Sequence, residues 1–179
     1  MNTHDRLVEI LRERSVRRQK VILASGKESD FYVDARRTTL HAEGAALISQ
    51  LILERLGPDI AGVGGPVTGA DPITGAVISE AWRQGRNLEG FMVRKEPKGH
   101  GLKLWVEGRD NLKDGDTVCL LEDTVTTGGS LVRAATRIRE SGLEVSRCIV
   151  VVDREEGAKE TLAEAGITLE ALVSRQELV

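Results

Sequence analysis

Val118-Cys119-Leu120-Leu121-Glu122-Asp123-Thr124-Val125-Thr126-Thr127-Gly128-Gly129-Ser130 is the stretch on which the fold turns. An unbroken apolar run, two adjacent carboxylates and a loop of hydroxyl and glycine residues read as a buried strand, its carboxyl end and a turn opening a helix. Small residues let backbone N–H groups approach an anion, Thr and Ser hydroxyls add donors, and a helix N-terminus favours negative charge. Adjacent carboxylates would repel a bare phosphate. A ribose resolves the conflict, with Glu122 and Asp123 accepting from sugar hydroxyls while residues 126–130 hold the attached phosphate. A divalent ion would also ease it. A strand, an Asp cap and a glycine-rich turn account for the same residues without a ligand, and residue types alone leave the two readings level. The loop has no lysine, so it is not a Walker P-loop, and it lacks the GxGxxG spacing of a dinucleotide fingerprint.

Outward from this stretch, strand, loop and helix alternate. Leu7, Ile10 and Leu11 predict an opening amphipathic helix, and residues 21–36 read as a turn leading into a short strand at Phe31-Tyr32-Val33. Helices are expected over residues 42–56, 73–82, 131–138 and 157–165. Strands are expected over residues 60–63, 90–93, 117–121 and 148–152, with a weak one near 169–173. Residues 94–116 form a polar stretch too long for an ordinary connection. The pattern predicts an α/β fold around a parallel sheet, with binding loops at the carboxyl ends of its strands.

The whole chain agrees with that architecture. Its 179 residues suit one domain, and 40% hydrophobic with 30% charged residues excludes a disordered chain. Phe31, Tyr32, Trp82, Phe91 and Trp105 are the only aromatics, so the core must be aliphatic. A net charge of −3 gives no global basic field for nucleic acid or an acidic membrane. Cys119 and Cys148 lie in apolar runs, as buried reduced cysteines do. Charges begin within the first six residues, and no apolar run reaches membrane-span length. The expected setting is cytoplasmic, with no membrane and no nucleic-acid partner.

The apolar strand, the Glu-Asp pair and Thr-x-Thr-Thr-Gly-Gly-Ser together resemble the phosphoribosyl pyrophosphate (PRPP) motif of type I phosphoribosyltransferases. That resemblance implies a parallel sheet flanked by helices with a small N-terminal hood, formed mainly by residues 1–40 of a single domain over 1–179. It implies PRPP contacts from Glu122, Asp123, Thr124, Val125, Thr126, Thr127, Gly128, Gly129 and Ser130, with Asp123 also catalytic.

Arg94-Lys95-Glu96-Pro97-Lys98-Gly99-His100-Gly101 gathers three fixed cations and a histidine in an acidic chain. A charge run is more often a solvated face. Here Pro97, Gly99 and Gly101 forbid a regular helix, and a mobile cationic loop over about 94–108 could close on a polyphosphate. Arg-Lys-x-x-Lys-x-His-Gly also resembles the catalytic-loop signature of the orotate phosphoribosyltransferases. The resemblance implies a homodimer in which Arg94, Lys98 and His100 reach the neighbouring subunit's PRPP while Lys95 serves its own, with Lys98 and His100 catalytic.

Two further segments fit that branch. Leu23-Ala24-Ser25-Gly26-Lys27-Glu28-Ser29-Asp30-Phe31-Tyr32-Val33-Asp34 resembles the family's hood, although Phe31 and Tyr32 are also ordinary strand residues. Val152-Asp153-Arg154-Glu155 follows a strand end. Its arginine is either weakly paired with Glu155 or Glu156 or, by the resemblance, holds the orotate carboxylate together with Thr126. The chain departs from the better-known bacterial enzymes at Ala24 and within Gly65-Pro66-Val67-Thr68-Gly69, where those carry lysines, and at Gly99, where an Asp is usual. Pyrophosphate contacts should then lean on backbone N–H groups near Thr68-Gly69 and on Lys95, which suggests a distinct subgroup. The implied cofactor is Mg2+ bound with PRPP rather than on a protein metal site. A purine phosphoribosyltransferase would share residues 122–130 without needing Arg154, and a non-catalytic PRPP-sensing regulator would show a basic face.

Overall fold

The structure, a computed structural model, describes residues 2–17, 21–22, 28–29, 32–97 and 104–179. The chain opens with α1 (Thr3–Arg14), whose Asn2 side chain caps it by accepting from the Asp5 N–H at 2.8 Å. The hood follows: β1 (Val16–Arg17), β2 (Val21–Ile22), β3 (Glu28–Ser29) and β4 (Tyr32–Val33), with β1 antiparallel to β4 and β2 antiparallel to β3. Leu23, Ala24 and Phe31 lie outside the described residues.

Helices α2 (Arg36–Thr39) and α3 (Ala42–Arg55) lead into β5 (Gly62–Pro66), α4 (Asp71–Arg83), β6 (Glu89–Val93) and β7 (Val106–Glu107). Then come β8 (Thr117–Val125), α5 (Gly129–Glu140), β9 (Glu144–Asp153), α6 (Ala158–Glu164), β10 (Thr168–Ser174) and α7 (Arg175–Leu178). The main sheet has the order β10-β9-β8-β5-β6-β7 and is parallel except for β7, which runs antiparallel to β6.

Period-two alternation along β8 builds both layers at once. Cys119 and Leu121 face a core shared with Leu7 and Leu11 of α1, Ile48 and Ile52 of α3, and Ile73 and Val77 of α4. Val118 and Leu120 face the opposite core, with Leu131, Ala135 and Ile138 of α5 and Leu162 of α6. A sheet covered on both faces needs apolar strands without long polar interruptions, as a parallel sheet does. The scarcity of aromatics holds in these cores: Phe91 is the one aromatic among the buried residues described.

Three elements differ from the sequence expectation. β8 runs past Leu121 through Glu122 and Asp123 to Val125, so the carboxylates belong to the strand. β9 begins at Glu144, where alternating exposed and buried residues precede the apolar run. The polar stretch after residue 94 contains β7 and a 3-10 turn, Arg109–Asn111, which Arg109 ties down by donating to the carbonyls of Leu112 (2.6 Å) and Ser141 (2.8 Å). A two-residue strand is too short to leave a period in the sequence.

Strand β5 sits where the order reverses: β6 continues to one side, and the chain returns to the other with β8. Ligands in open α/β sheets bind in the crevice outside such a point. The strands can converge there because Gly65 has no side chain. A Cβ at Gly65 would collide with the Leu121 carbonyl and stand 2.9 Å from the Ala70 methyl. Gly65→Ala should therefore cost about 1–3 kcal/mol of stability through overpacking, read as a lower midpoint of urea unfolding with an unchanged slope.

Candidate active site

At the mouth between β5 and β8 lies a cavity of about 330 Å³, bounded by Tyr32, Asp34 and Arg36 from the hood side, Val67-Thr68-Gly69, Lys95, and Glu122 to Thr124 with Ser130. Strand β8 carries the acidic pair into it. Glu122 is buried and Asp123 half-buried, and the Asp123 N–H donates to Glu122 Oε1 at 3.1 Å. The turn after β5 closes over them. A Cβ on Gly69 would strike Glu122 Oε1 and approach Asp123 Oδ1 to 3.0 Å, so a larger residue there would have to displace the two carboxyl groups.

Burial sets the electrostatics. Loss of hydration pushes the Glu122 carboxyl well above its usual 4.5, and the Asp123 charge pushes it further. Burial also raises Asp123, opposed by a hydrogen bond from the Thr124 backbone and by the Arg36 charge. Asp71, first residue of α4, adds a third acid whose carboxyl is raised by burial and whose Oδ1 is buried without a hydrogen-bond partner. A cationic or hydroxyl-bearing ligand would relieve this site.

The loop beyond β8 supplies the complementary field. Gly128 takes a left-handed conformation (φ 82°) and caps α5, with no side chain bonded to the helix end. The N–H groups of Thr126, Thr127, Gly128, Gly129 and Ser130 donate to no backbone acceptor among the described residues. This is an open anion cradle. Val125 differs from its neighbours: its side chain is in the core at 3% exposure and its carbonyl accepts from the Arg154 N–H at 3.0 Å, leaving only its backbone near the loop. On the other wall, Val67 donates to the Val93 carbonyl and Ala70 to that of Pro66, whereas Thr68 and Gly69 donate to no backbone acceptor among the described residues.

The structure brings Lys95 to this cavity but turns Arg94 aside. Arg94 donates to Glu107 Oε1 at 2.9 Å and to the Glu96 carbonyl at 3.2 Å. Lys98 and His100 lie outside the described residues. Arg154 stands at the end of β9 beside the end of β8, with 8% exposure; it pairs with Glu156 at 3.1 Å, and its buried Nε has no hydrogen-bond partner. The sequence reading missed Arg36, Asp34 and Asp71. The pair Arg36-Arg37 after a hood strand was the available signal for the first, but nothing in the pattern placed that strand over the acidic pair. No group of three or more His, Cys, Asp or Glu able to hold a metal ion occurs among the described residues.

Fold and site together define the class. The phosphoribosyl transferase domain family matches residues 37–172 of the chain. The orotate phosphoribosyltransferase of Bradyrhizobium sp. is 44% identical, covering 97% of this chain and 96% of its own length, and that of Sorangium cellulosum is 42% identical, covering 98% and 92%. A crystal structure of the Mycobacterium tuberculosis orotate phosphoribosyltransferase in complex with PRPP superposes with a TM-score of 0.81 at 34% identity, covering 99% of both chains. The chain belongs to the orotate phosphoribosyltransferase family, within the type I phosphoribosyltransferases. It is a glycosyl-transferring enzyme.

The pH dependence of stability follows from the acidic pair. A carboxyl raised in the folded state favours folding only while protonated, so its contribution is fully present below the ordinary value of 4.5 and is lost as pH rises through the raised value. Glu122→Gln should flatten the fall in stability of the ligand-free protein above pH 4.5, measured as urea midpoint against pH for both proteins.

Proposed function

We propose that this chain transfers the 5-phosphoribosyl group of PRPP to orotate, giving orotidine 5′-phosphate and pyrophosphate in pyrimidine nucleotide synthesis, with roles assigned as follows. Residues 126–130 bind the 5′-phosphate through the open N–H groups, and Glu122 and Asp123 accept from the ribose hydroxyls. Thr68, Gly69 and Lys95 take the pyrophosphate, and Arg154 with Thr126 takes the orotate carboxylate. The single observation that carries this reading is the union, on one strand–turn–helix, of a buried acidic pair and an uncapped anion cradle, joined at the switch point of the sheet.

The chemistry asks mainly for positioning and charge stabilisation. C1 of the ribose gains positive charge as the C1–O bond to pyrophosphate breaks and orotate N1 attacks from the opposite face. Asp123 and Glu122 favour that developing charge. Lys98 and His100 neutralise the leaving group. Mg2+ bound to PRPP would add to the neutralisation of the pyrophosphate. An arginine fork suits a carboxylate, and the orphaned Nε of Arg154 supports its place here.

A homodimer in which the loop crosses to the neighbouring site is the accompanying proposal. What supports it is an apolar face beside the root of that loop. Gly75, Ile78 and Trp82 share one side of α4, Trp82 is 73% exposed, and Met92 of β6 is 38% exposed next to them. Such a patch on a soluble chain invites a partner surface. A cytoplasmic setting accords with the two free, buried thiols, Cys119 and Cys148.

Orotate consumption followed by ultraviolet absorbance, with PRPP and Mg2+ and with adenine, hypoxanthine and uracil as parallel acceptors, tests the reaction. Turnover of a purine in place of orotate would overturn the base assignment, and PRPP binding without any turnover would point to a regulator. Arg154→Ala should raise KM for orotate about tenfold or more, as loss of a charged hydrogen bond does, while KM for PRPP holds. Lys98→Ala and Asp123→Asn should each lower kcat by about a hundredfold or more. Mixing the two inactive dimers should restore activity after subunit exchange, and no recovery despite verified exchange would refute a loop acting across the interface.

A further inference from the structure

Beside the candidate active site, on the α5 side of the sheet, lies a second and larger cavity of about 510 Å³, lined mainly by residues to which the transfer reaction assigns no contact. The two share a wall of Pro66, Lys95 and Ser130. The α5 residues Ser130, Arg133, Ala134 and Arg137 line it from one helix face, and Arg94, Lys95 and Trp105 close the opposite side. Four cations therefore surround one concavity in a chain whose net charge is −3. Glu140 is the one acid among the described residues of the lining, and it is already paired with Arg137 at 2.7 Å. Arg94 is paired outside it with Glu107. Arg133 is exposed and has no ion-pair or hydrogen-bond partner among the described residues. The Arg137 guanidinium lies over the Trp105 ring, 3.9 Å from its centroid, making a flat cationic surface in the wall.

We propose that this cavity is an inhibitory site for a nucleoside 5′-phosphate. The volume falls in the range of small-ligand pockets. Uncompensated Arg133 and Lys95 suit a phosphate, and the stacked Arg137–Trp105 pair suits a planar base, whose π face a guanidinium plane can cover. Inorganic phosphate would use only the first half of this lining. Because Lys95 borders both cavities, a phosphate bound here withdraws it from the PRPP side, so the ligand lowers the apparent affinity for PRPP. That coupling rests on the placement of PRPP proposed above; the binding itself does not.

The test separates the two. In a Trp82→Phe background, Trp105 is the only tryptophan, and its emission should change as uridine 5′-monophosphate is added to the substrate-free protein. Arg133→Glu, a substitution at an exposed and unpartnered position, should raise the midpoint of that titration about tenfold or more, the loss of one charged contact plus a repulsion. The inhibition constant of the nucleotide should rise in parallel with the midpoint and by more than any change in KM for PRPP, which is read in the same variant because Arg133 Nη1 also lies close to Gly129 of the cradle. A midpoint unaffected by Arg133→Glu would mean that the nucleotide occupies the active site alone and would overturn the proposal. An equal emission change with inorganic phosphate at the same midpoint would overturn the nucleoside specificity. Failure of orotate turnover would leave the fluorescence arm intact, so the two readings fail separately.

Discussion

Two carboxyl groups on consecutive residues, Glu122 buried and Asp123 half-buried beneath Gly69, set the terms for the rest of the molecule. Glu122 and Asp123 sit on β8 under Gly69, and the β5–β8 approach that puts them there requires glycine at Gly65. Burying acids without a cation is costly, and their raised proton affinity expresses that cost. The fold tolerates it because the two apolar layers on either side of β8 are complete: Cys119 and Leu121 in one, Val118 and Leu120 in the other. A site strained electrostatically in this way is set to bind a ligand that brings hydroxyls and positive charge to the pair.

The same strand solves the opposite problem a few residues later. Past Val125 the chain leaves the sheet, Gly128 turns with positive φ, and α5 begins without a side-chain cap. Donors and acids thus stand at opposite ends of a short segment, which matches a sugar phosphate: hydroxyls at one end, a dianion at the other. Neither half alone would be selective. An acidic pair without the cradle would attract any cation, and a cradle without the acids would take any phosphate. Arg154 closes the arrangement from β9, held through its own N–H to the Val125 carbonyl, so the turn of β8 and the arginine are positioned by one contact.

Much of this was legible in residue order. The apolar run, the Glu-Asp pair and the hydroxyl-glycine loop are contiguous, so local chemistry identifies them without any knowledge of what packs around them. Helix α5 announces itself by Leu131, Ala134, Ala135 and Ile138 at helical spacing, all of them buried. Other features left no local mark. Strand β7 is two residues long, and its pairing with Met92 and Val93 of β6 is visible only across the loop between them. The extension of β8 through the acids comes from its pairing with β9, Glu122 opposite Val150 and Val125 opposite Asp153. Polar residues in a strand of that kind break the alternation that sequence reading depends on.

The sequence by itself determined the local chemistry: which strand carries the acids, which loop gathers hydroxyl and glycine residues ahead of a helix, and that the sheet is parallel and aliphatic. Those properties are local, a matter of side-chain type and spacing along a few residues. Tertiary structure decided what faces what. It set Arg36 and Asp34 of the hood, Asp71 of α4 and the turn at Thr68-Gly69 around an acidic pair that lies far from them along the chain. It also drew Arg94 to Glu107 and stacked Arg137 on Trp105, leaving a basic cavity next to the acidic one. The physical reason is that burial and mutual charge depend on distances in space, and those are fixed only when the strand order brings β5 and β8 together.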